Sequence, residues 1–143
     1  MQKRPEWAAG LLDSVTHAKT LSRVDSTKIG LLGFSLGGYL CLNIRAAAKP
    51  RALVSYFAPI FDGIGPAGTV PHAQIHHGEA DKLQWTPPSN ASAIETRLKL
   101  EKTAVEVCTY KGAGHGFAGN DKANADAHTL SQKRTLAFFV SHL

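Results

Sequence analysis

Three side chains in this sequence have the types that nucleophilic acyl chemistry requires, and they occur in the order serine, aspartate, histidine. Ser35 lies in Gly33-Phe34-Ser35-Leu36-Gly37-Gly38, a G-x-S-x-G pattern in which a sharp strand-to-helix turn exposes the serine hydroxyl. Side chains flanking such a turn would clash, so Gly33 and Gly37 are expected to remove them, and Gly38 to let the helix approach the sheet. A serine hydroxyl is a poor nucleophile near neutral pH and needs a base, usually a histidine oriented by a carboxylate. His115 in GAGHGF and Asp81 in HGEAD are the candidates for those parts. Taken alone, Ser35 also reads as a helix cap in a glycine-rich turn, and a single loop histidine reads as a surface residue. Their order favours the chemistry, provided that each follows a strand.

The elements needed to place them are legible as hydrophobic periodicity. Pro5 suits a first helical turn, and Trp7, Leu11, Val15, Ala18 and Leu21 recur at helical spacing, which predicts a helix over 6–22. Ile29 to Phe34 is an apolar run expected to be a strand covered on both faces, and 37–49 reads as a helix stopped by Pro50. Strands are expected over 52–57, 73–77 and 104–110. A helix capped by Ser89 or Asn90 runs to about Lys102 with Ala91, Ile94 and Leu98 buried. The last helix starts near Lys122 and carries Leu136, Phe139, Val140 and Leu143 on one stripe. Strands alternating with helices predict an α/β fold: a three-layer αβα arrangement with a mostly parallel sheet of about four strands, in one domain over 1–143. Ser35, Asp81 and His115 then all fall at carboxyl ends of strands, where open parallel sheets collect their chemistry.

The segments IGLLGFSLGGYL, SYFAPIFDG, IHHGEADKL and YKGAGHGF together make the chain resemble the alpha/beta-hydrolases, and within them the dienelactone hydrolase family. The resemblance runs over nearly the whole chain. It implies a catalytic triad of Ser35, Asp81 and His115, with the backbone amide of Leu36 as one oxyanion donor. It also implies a small ester or lactone as substrate, no cofactor and no metal. Typical dienelactone hydrolases place cysteine at the nucleophile, so serine points to a general esterase-like relative. Asp62, after the second strand, is a rival for the acid, but the HGEAD context matches the family only at Asp81. Trp85 and Phe117 are expected to line an acyl pocket; Tyr56 and Phe57 either join them or pack under the sheet.

Complete members of the family have further strands before the nucleophile strand, and a loop among them supplies a second oxyanion amide. The chain therefore reads as the carboxyl-terminal part of the family fold, a truncated hydrolase in which the nucleophile strand becomes a sheet edge. Two consequences are expected: a homodimer or larger assembly pairing through that edge, and weak activity for want of one donor. A non-catalytic remnant that binds a ligand or partner is the alternative.

Bulk properties narrow the remaining classes. The charge is +5, but the 16 Lys and Arg are scattered, unlike a nucleic-acid footprint. No apolar run approaches the roughly 20 residues that span a bilayer, and the amino terminus lacks a signal-peptide pattern, so a cytoplasmic location is expected. Cys41 and Cys108 lie in apolar surroundings and read as inert buried thiols. His72 and His76, about 13 Å apart along a strand, are too distant to share a metal ion, and His77 reads as the entry to the Asp81 loop.

Overall fold

A computed structural model describes residues 3–143. Pro5 opens the first helix, α1 (Arg4–Ala18), where its missing amide hydrogen costs nothing. The elements that follow are β1 (Gly30–Phe34), α2 (Leu36–Ala48), β2 (Ala52–Tyr56), β3 (His72–Gly78), α3 (Ser89–Leu100), β4 (Ala104–Tyr110), a 3-10 turn over His115–Phe117, and α4 (Lys122–His142). All strand pairs are parallel, and spatial order equals chain order, β1-β2-β3-β4. Gly30 pairs with Ala52, Ala52 with His72 and His72 with Ala104, so the strands start level and their carboxyl ends form one rim.

Alternation along the strands separates two cores, as the two-residue period of a strand requires. Leu31, Leu53, Ala73 and Ile75 face α1, α2 and α3, meeting Val15, Leu42, Ile44, Ile94 and Leu98. Ala52, Val54, Tyr56, Cys108 and Tyr110 face α4, meeting Ala127 and Phe138. The result is the expected αβα layering. Between β2 and β3 the connection contains no helix, and Arg45 of α2 holds it. The buried Arg45 guanidinium donates to the Ile64 carbonyl and lies 2.8 Å from the Glu101 carboxylate. Burial alone would raise the Glu101 carboxyl, but Arg97 and Arg45 outweigh it and hold the group below its ordinary range.

Several boundaries and faces depart from expectation. The first helix ends at Ala18, because Thr20 and Leu21 turn back with shorter-range amide bonds to His17 and Ala18, leaving Leu21 exposed. Ser89 and Asn90 both lie inside α3, preceded by Pro88, so neither caps it. The Asn90 amide instead bridges the Ala58 and Trp85 carbonyls, each at 3.0 Å. In β1 one face is buried and the other only partly covered: Leu31 is buried and Phe139 packs at Gly30, whereas Leu32 is 41% and Phe34 55% exposed. The face that α4 buries is Asn124, Ala127, Ser131, Thr135 and Phe138, and Leu136 and Val140 stand 67% and 78% exposed. Of the expected apolar stripe, Phe139 and Leu143 do pack, half-buried, against this core and Gly30 of β1, whereas Leu136 and Val140 do not. Among the described residues no helix is long and apolar enough to cross a membrane.

Candidate active site

Ser35 is placed by a turn that few side chains allow. Its backbone sits at φ 51° and ψ −118°, a conformation that costs a non-glycine residue about 1–3 kcal/mol. A Cβ on Gly33 would lie 2.2 Å from the Gly37 carbonyl oxygen, and one on Gly38 would lie 2.7 Å from the Ser55 hydroxyl. Gly33 and Gly38 are thus sterically required. Gly37 is not, since a Cβ there would meet open space. The Ser35 amide donates to the Tyr56 carbonyl at 2.9 Å, which ties the turn to β2. Leu36 begins α2, so its amide is among the helix's first four, which have no partner within the helix.

The aspartate and histidine arrive on loops locked together by backbone. A Cβ on Gly78 would meet the Ala113 carbonyl at 2.2 Å, and that carbonyl accepts the Ala80 amide at 3.0 Å. Glu79 donates its amide to the Tyr110 carbonyl at 3.0 Å. On the far side, the Gly114 amide donates to Asn124 Oδ1 at 2.9 Å, and Asn124 is itself held by the α4 cap Asp121. Phe57 packs edge-on against the His115 ring at 4.8 Å.

These supports bring the three side chains into one hydrogen-bonded run. His115 Nε2 lies 3.0 Å from Ser35 Oγ, and His115 Nδ1 lies 2.8 Å from Asp81 Oδ2. The Asp81 carboxylate is buried, and its second oxygen accepts the Leu83 amide and the Thr86 hydroxyl, both at 3.0 Å. Such an array can move a proton from the serine oxygen to Nε2 while the carboxylate stabilises the resulting imidazolium.

Ser35 and Leu36 open into a cavity of about 510 Å³ walled by Trp7, Phe61, Leu83 and Trp85. Of the expected pocket residues, only Trp85 lines it. Tyr56 lies beneath, stacked on His76 at 4.2 Å with its hydroxyl donating to the Ser131 carbonyl at 3.0 Å. Phe117 packs among Tyr56, Phe57 and Tyr110. Both are drawn under the sheet by α4. Asp62 is occupied elsewhere: it accepts the Tyr39 hydroxyl at 2.5 Å and pairs with Arg4 at 3.3 Å. Burial and the Asp62 carboxylate both push the Tyr39 hydroxyl above its ordinary value. Trp7, Phe61 and Thr86 carried no local signal in the sequence, because only the tertiary fold turns them toward Ser35.

The remaining histidines and cysteines have other settings. His72 stacks on His142 at 3.9 Å, and His76 is buried between Gln74 and Tyr110. His77 belongs to β3 rather than to the loop, with Nε2 3.0 Å from the Thr86 carbonyl. Burial pushes the Cys41 and Cys108 thiols up to about 11. Among the described residues no cluster of three His, Cys, Asp or Glu side chains is placed to hold a metal ion.

Comparison with known proteins places this geometry in context. The sequence profile of the dienelactone hydrolase family matches residues 1–143. A protein of Synechocystis sp. named "Putative carboxymethylenebutenolidase" is 24% identical over 144 residues, covering 91% of this chain and 57% of that protein. One of the same name from Azospirillum brasilense is 31% identical over 111 residues, covering 76% of this chain and 47% of that protein. The chain spans about half the length of these curated relatives. The crystal structure of MGS-M1, an alpha/beta hydrolase enzyme from a Medee basin deep-sea metagenome library, shares the fold. Its TM-score is 0.75 at 21% identity, covering 92% of this chain and 62% of that one.

Proposed function

The chain belongs to the dienelactone hydrolase family, and from that premise we propose that it carries the catalytic run of a hydrolase acting on small carboxylic esters or lactones. The observation that carries the proposal is the run itself, with Ser35 Oγ, His115 and Asp81 linked at 3.0 and 2.8 Å beside the cavity. In this reading His115 Nε2 takes the Ser35 hydroxyl proton as Oγ attacks the ester carbonyl. The tetrahedral oxyanion forms at the amino end of α2, where the Leu36 amide donates to it and the helix dipole favours negative charge. Collapse breaks the bond to the alcohol oxygen, which receives the proton from His115 and leaves an acyl group on Ser35. Water then attacks the acyl carbonyl as His115 takes its proton, and the second collapse breaks the bond to Ser35 Oγ, which receives that proton from His115 as the acid leaves.

For a lactone the departing oxygen remains part of the same molecule, so the product is a single hydroxy acid. The names of the relatives favour that class, and the cavity walls of Trp7, Phe61 and Trp85 favour an apolar or flat unsaturated substituent. An intact, oriented serine, histidine and aspartate favours catalysis over a remnant that only binds.

An alkyl phosphonate probe tests the assignment directly. It is expected to add covalently to Ser35, visible by mass spectrometry, and to leave Ser35→Ala unlabelled. A folded sample that takes no label, or labels equally without Ser35, would falsify the nucleophile assignment.

A further inference from the structure

Thr86 stands between the two groups that must be held still. Its buried hydroxyl oxygen lies 3.0 Å from Asp81 Oδ1 and 3.1 Å from His115 Nδ1. A hydroxyl has one hydrogen, and a carboxylate can only accept, so that hydrogen goes to Asp81. The lone pairs on the same oxygen then face His115 Nδ1–H, whose other acceptor is Asp81 Oδ2 at 2.8 Å. We propose that Thr86 is a positioning residue of this site, completing a three-centre clamp that keeps the proton of neutral His115 on Nδ1 and the lone pair of Nε2 on Ser35. The inference rests on the reading of Ser35, Asp81 and His115 as the catalytic run.

The backbone of Thr86 is fixed from three sides, which gives the clamp a defined position. Its amide donates to the Leu83 carbonyl at 3.1 Å, and the adjacent Trp85 carbonyl accepts the Asn90 amide at 3.0 Å. His77 Nε2 donates to the Thr86 carbonyl at 3.0 Å and lies 3.4 Å from Asp81 Oδ2. Two oxygens face Nε2, whereas the buried Nδ1 of His77 meets no protein partner, so the hydrogen of the neutral ring belongs on Nε2. Burial lowers the His77 value and favours that neutral ring. The Leu83–Thr86 turn therefore joins two tasks: Leu83 and Trp85 wall the cavity, and Thr86 holds the acid and base.

The test compares Thr86→Val, which keeps the shape and removes the hydroxyl, with Thr86→Ser, which keeps the hydroxyl. Thr86→Ala is a second hydroxyl-free variant should valine not fold, and melting temperature reports folding for all three. For a short nitrophenyl ester, Val and Ala are expected to lower the acylation rate about tenfold to hundredfold with KM within about twofold, and Ser to stay within about threefold of the parent. In protein carrying 15N-histidine, the His115 Nδ1 proton resonance is expected to move in Val and Ala and to hold in Ser. A hydroxyl-free variant that acylates within threefold of the parent, a serine variant as slow as valine, or a change confined to KM overturns the clamp. Failure of the underlying reading shows differently, as absence of phosphonate label on Ser35 of the unmodified protein. In that event the resonance comparison alone decides whether Thr86 sets the His115 tautomer, and an unmoved signal overturns it.

Discussion

Two aspartates lie close to this site in sequence terms, and their side-chain partners separate them. Asp81 meets His115, Leu83 and Thr86, whereas Asp62 is spent on Tyr39 and Arg4. Replacing Asp81 with asparagine keeps the shape but removes the charge that, in the proposed reading, stabilises the imidazolium; the equivalent exchange costs about 10⁴ in turnover in a well-studied serine protease. Ester hydrolysis by Asp81→Asn is expected to fall by several orders of magnitude while Asp62→Asn stays within severalfold; the reverse ranking would reassign the acid. A second residue-scale consequence comes from His76. Burial, with Arg134 adding to it, lowers its value to about 3. An unfolded chain takes up that proton near an ordinary value of about 6.5, so the unfolded state binds more protons between those limits and stability falls as pH drops through them. The full effect is a few kcal/mol at most, on the order of 1.4 kcal/mol per pH unit. Urea midpoints measured from pH 7 to 4 are expected to fall more steeply for the parent than for His76→Gln, and parallel slopes would rule the effect out.

At the scale of elements, α4 shows how far composition and placement can differ. Phe138 packs in the core with Ala127 and Tyr56, while Val140, two residues on, is exposed. Phe138→Ala is expected to cost about 3–5 kcal/mol in chemical denaturation, as for large aromatic truncations in cores, and Val140→Ala within about 0.5 kcal/mol. Equal losses would mean that α4 is rotated on the sheet. The turn at Ser35 offers a matching pair. Gly33→Ala drives a methyl into the Gly37 backbone and is expected to lose both stability and phosphonate labelling, whereas Gly37→Ala meets no obstacle and is expected to keep the fold. Gly37 lies inside α2 and has no positive φ, so loss of folding in Gly37→Ala would contradict the open space beside it.

Within this chain the sheet ends in two strands, β1 and β4. β4 carries exposed Glu106 and Thr109, whereas the outward Leu32 and Phe34 of β1 are apolar and exposed. Phe139 and Leu143 approach Gly30, and His128 and Gln132 flank a small cleft at Phe34, so Leu136 falls between these contacts. Edge amides and carbonyls beside an apolar surface invite strand addition. For this 143-residue chain we propose pairing with a second copy along β1. Sedimentation of the unmodified protein at micromolar concentration is expected to give a dimer or larger species, and Leu32→Glu, which leaves the buried Leu31 alone, is expected to dissociate it. A folded monomer would refute the pairing.

Local chemistry sufficed for much of this protein. The glycine spacing around Ser35, the periodicity of α2 and α3, and the apolar runs of the strands are determined by near neighbours, which is why the parallel order and the approach of Ser35, Asp81 and His115 were legible in the sequence. What the sequence left open depends on what lies across the fold. The same amphipathic pattern in α4 fits two rotations, and the polar face with Ser131 and Thr135 is buried because Tyr56 and His76 offer it partners from the sheet. Tyr56 and Phe117 were drawn into that layer and away from the cavity. Thr86 gained its place only because β3, β4 and their loops close on one another around Asp81, a convergence of residues up to 34 positions apart that no short stretch encodes.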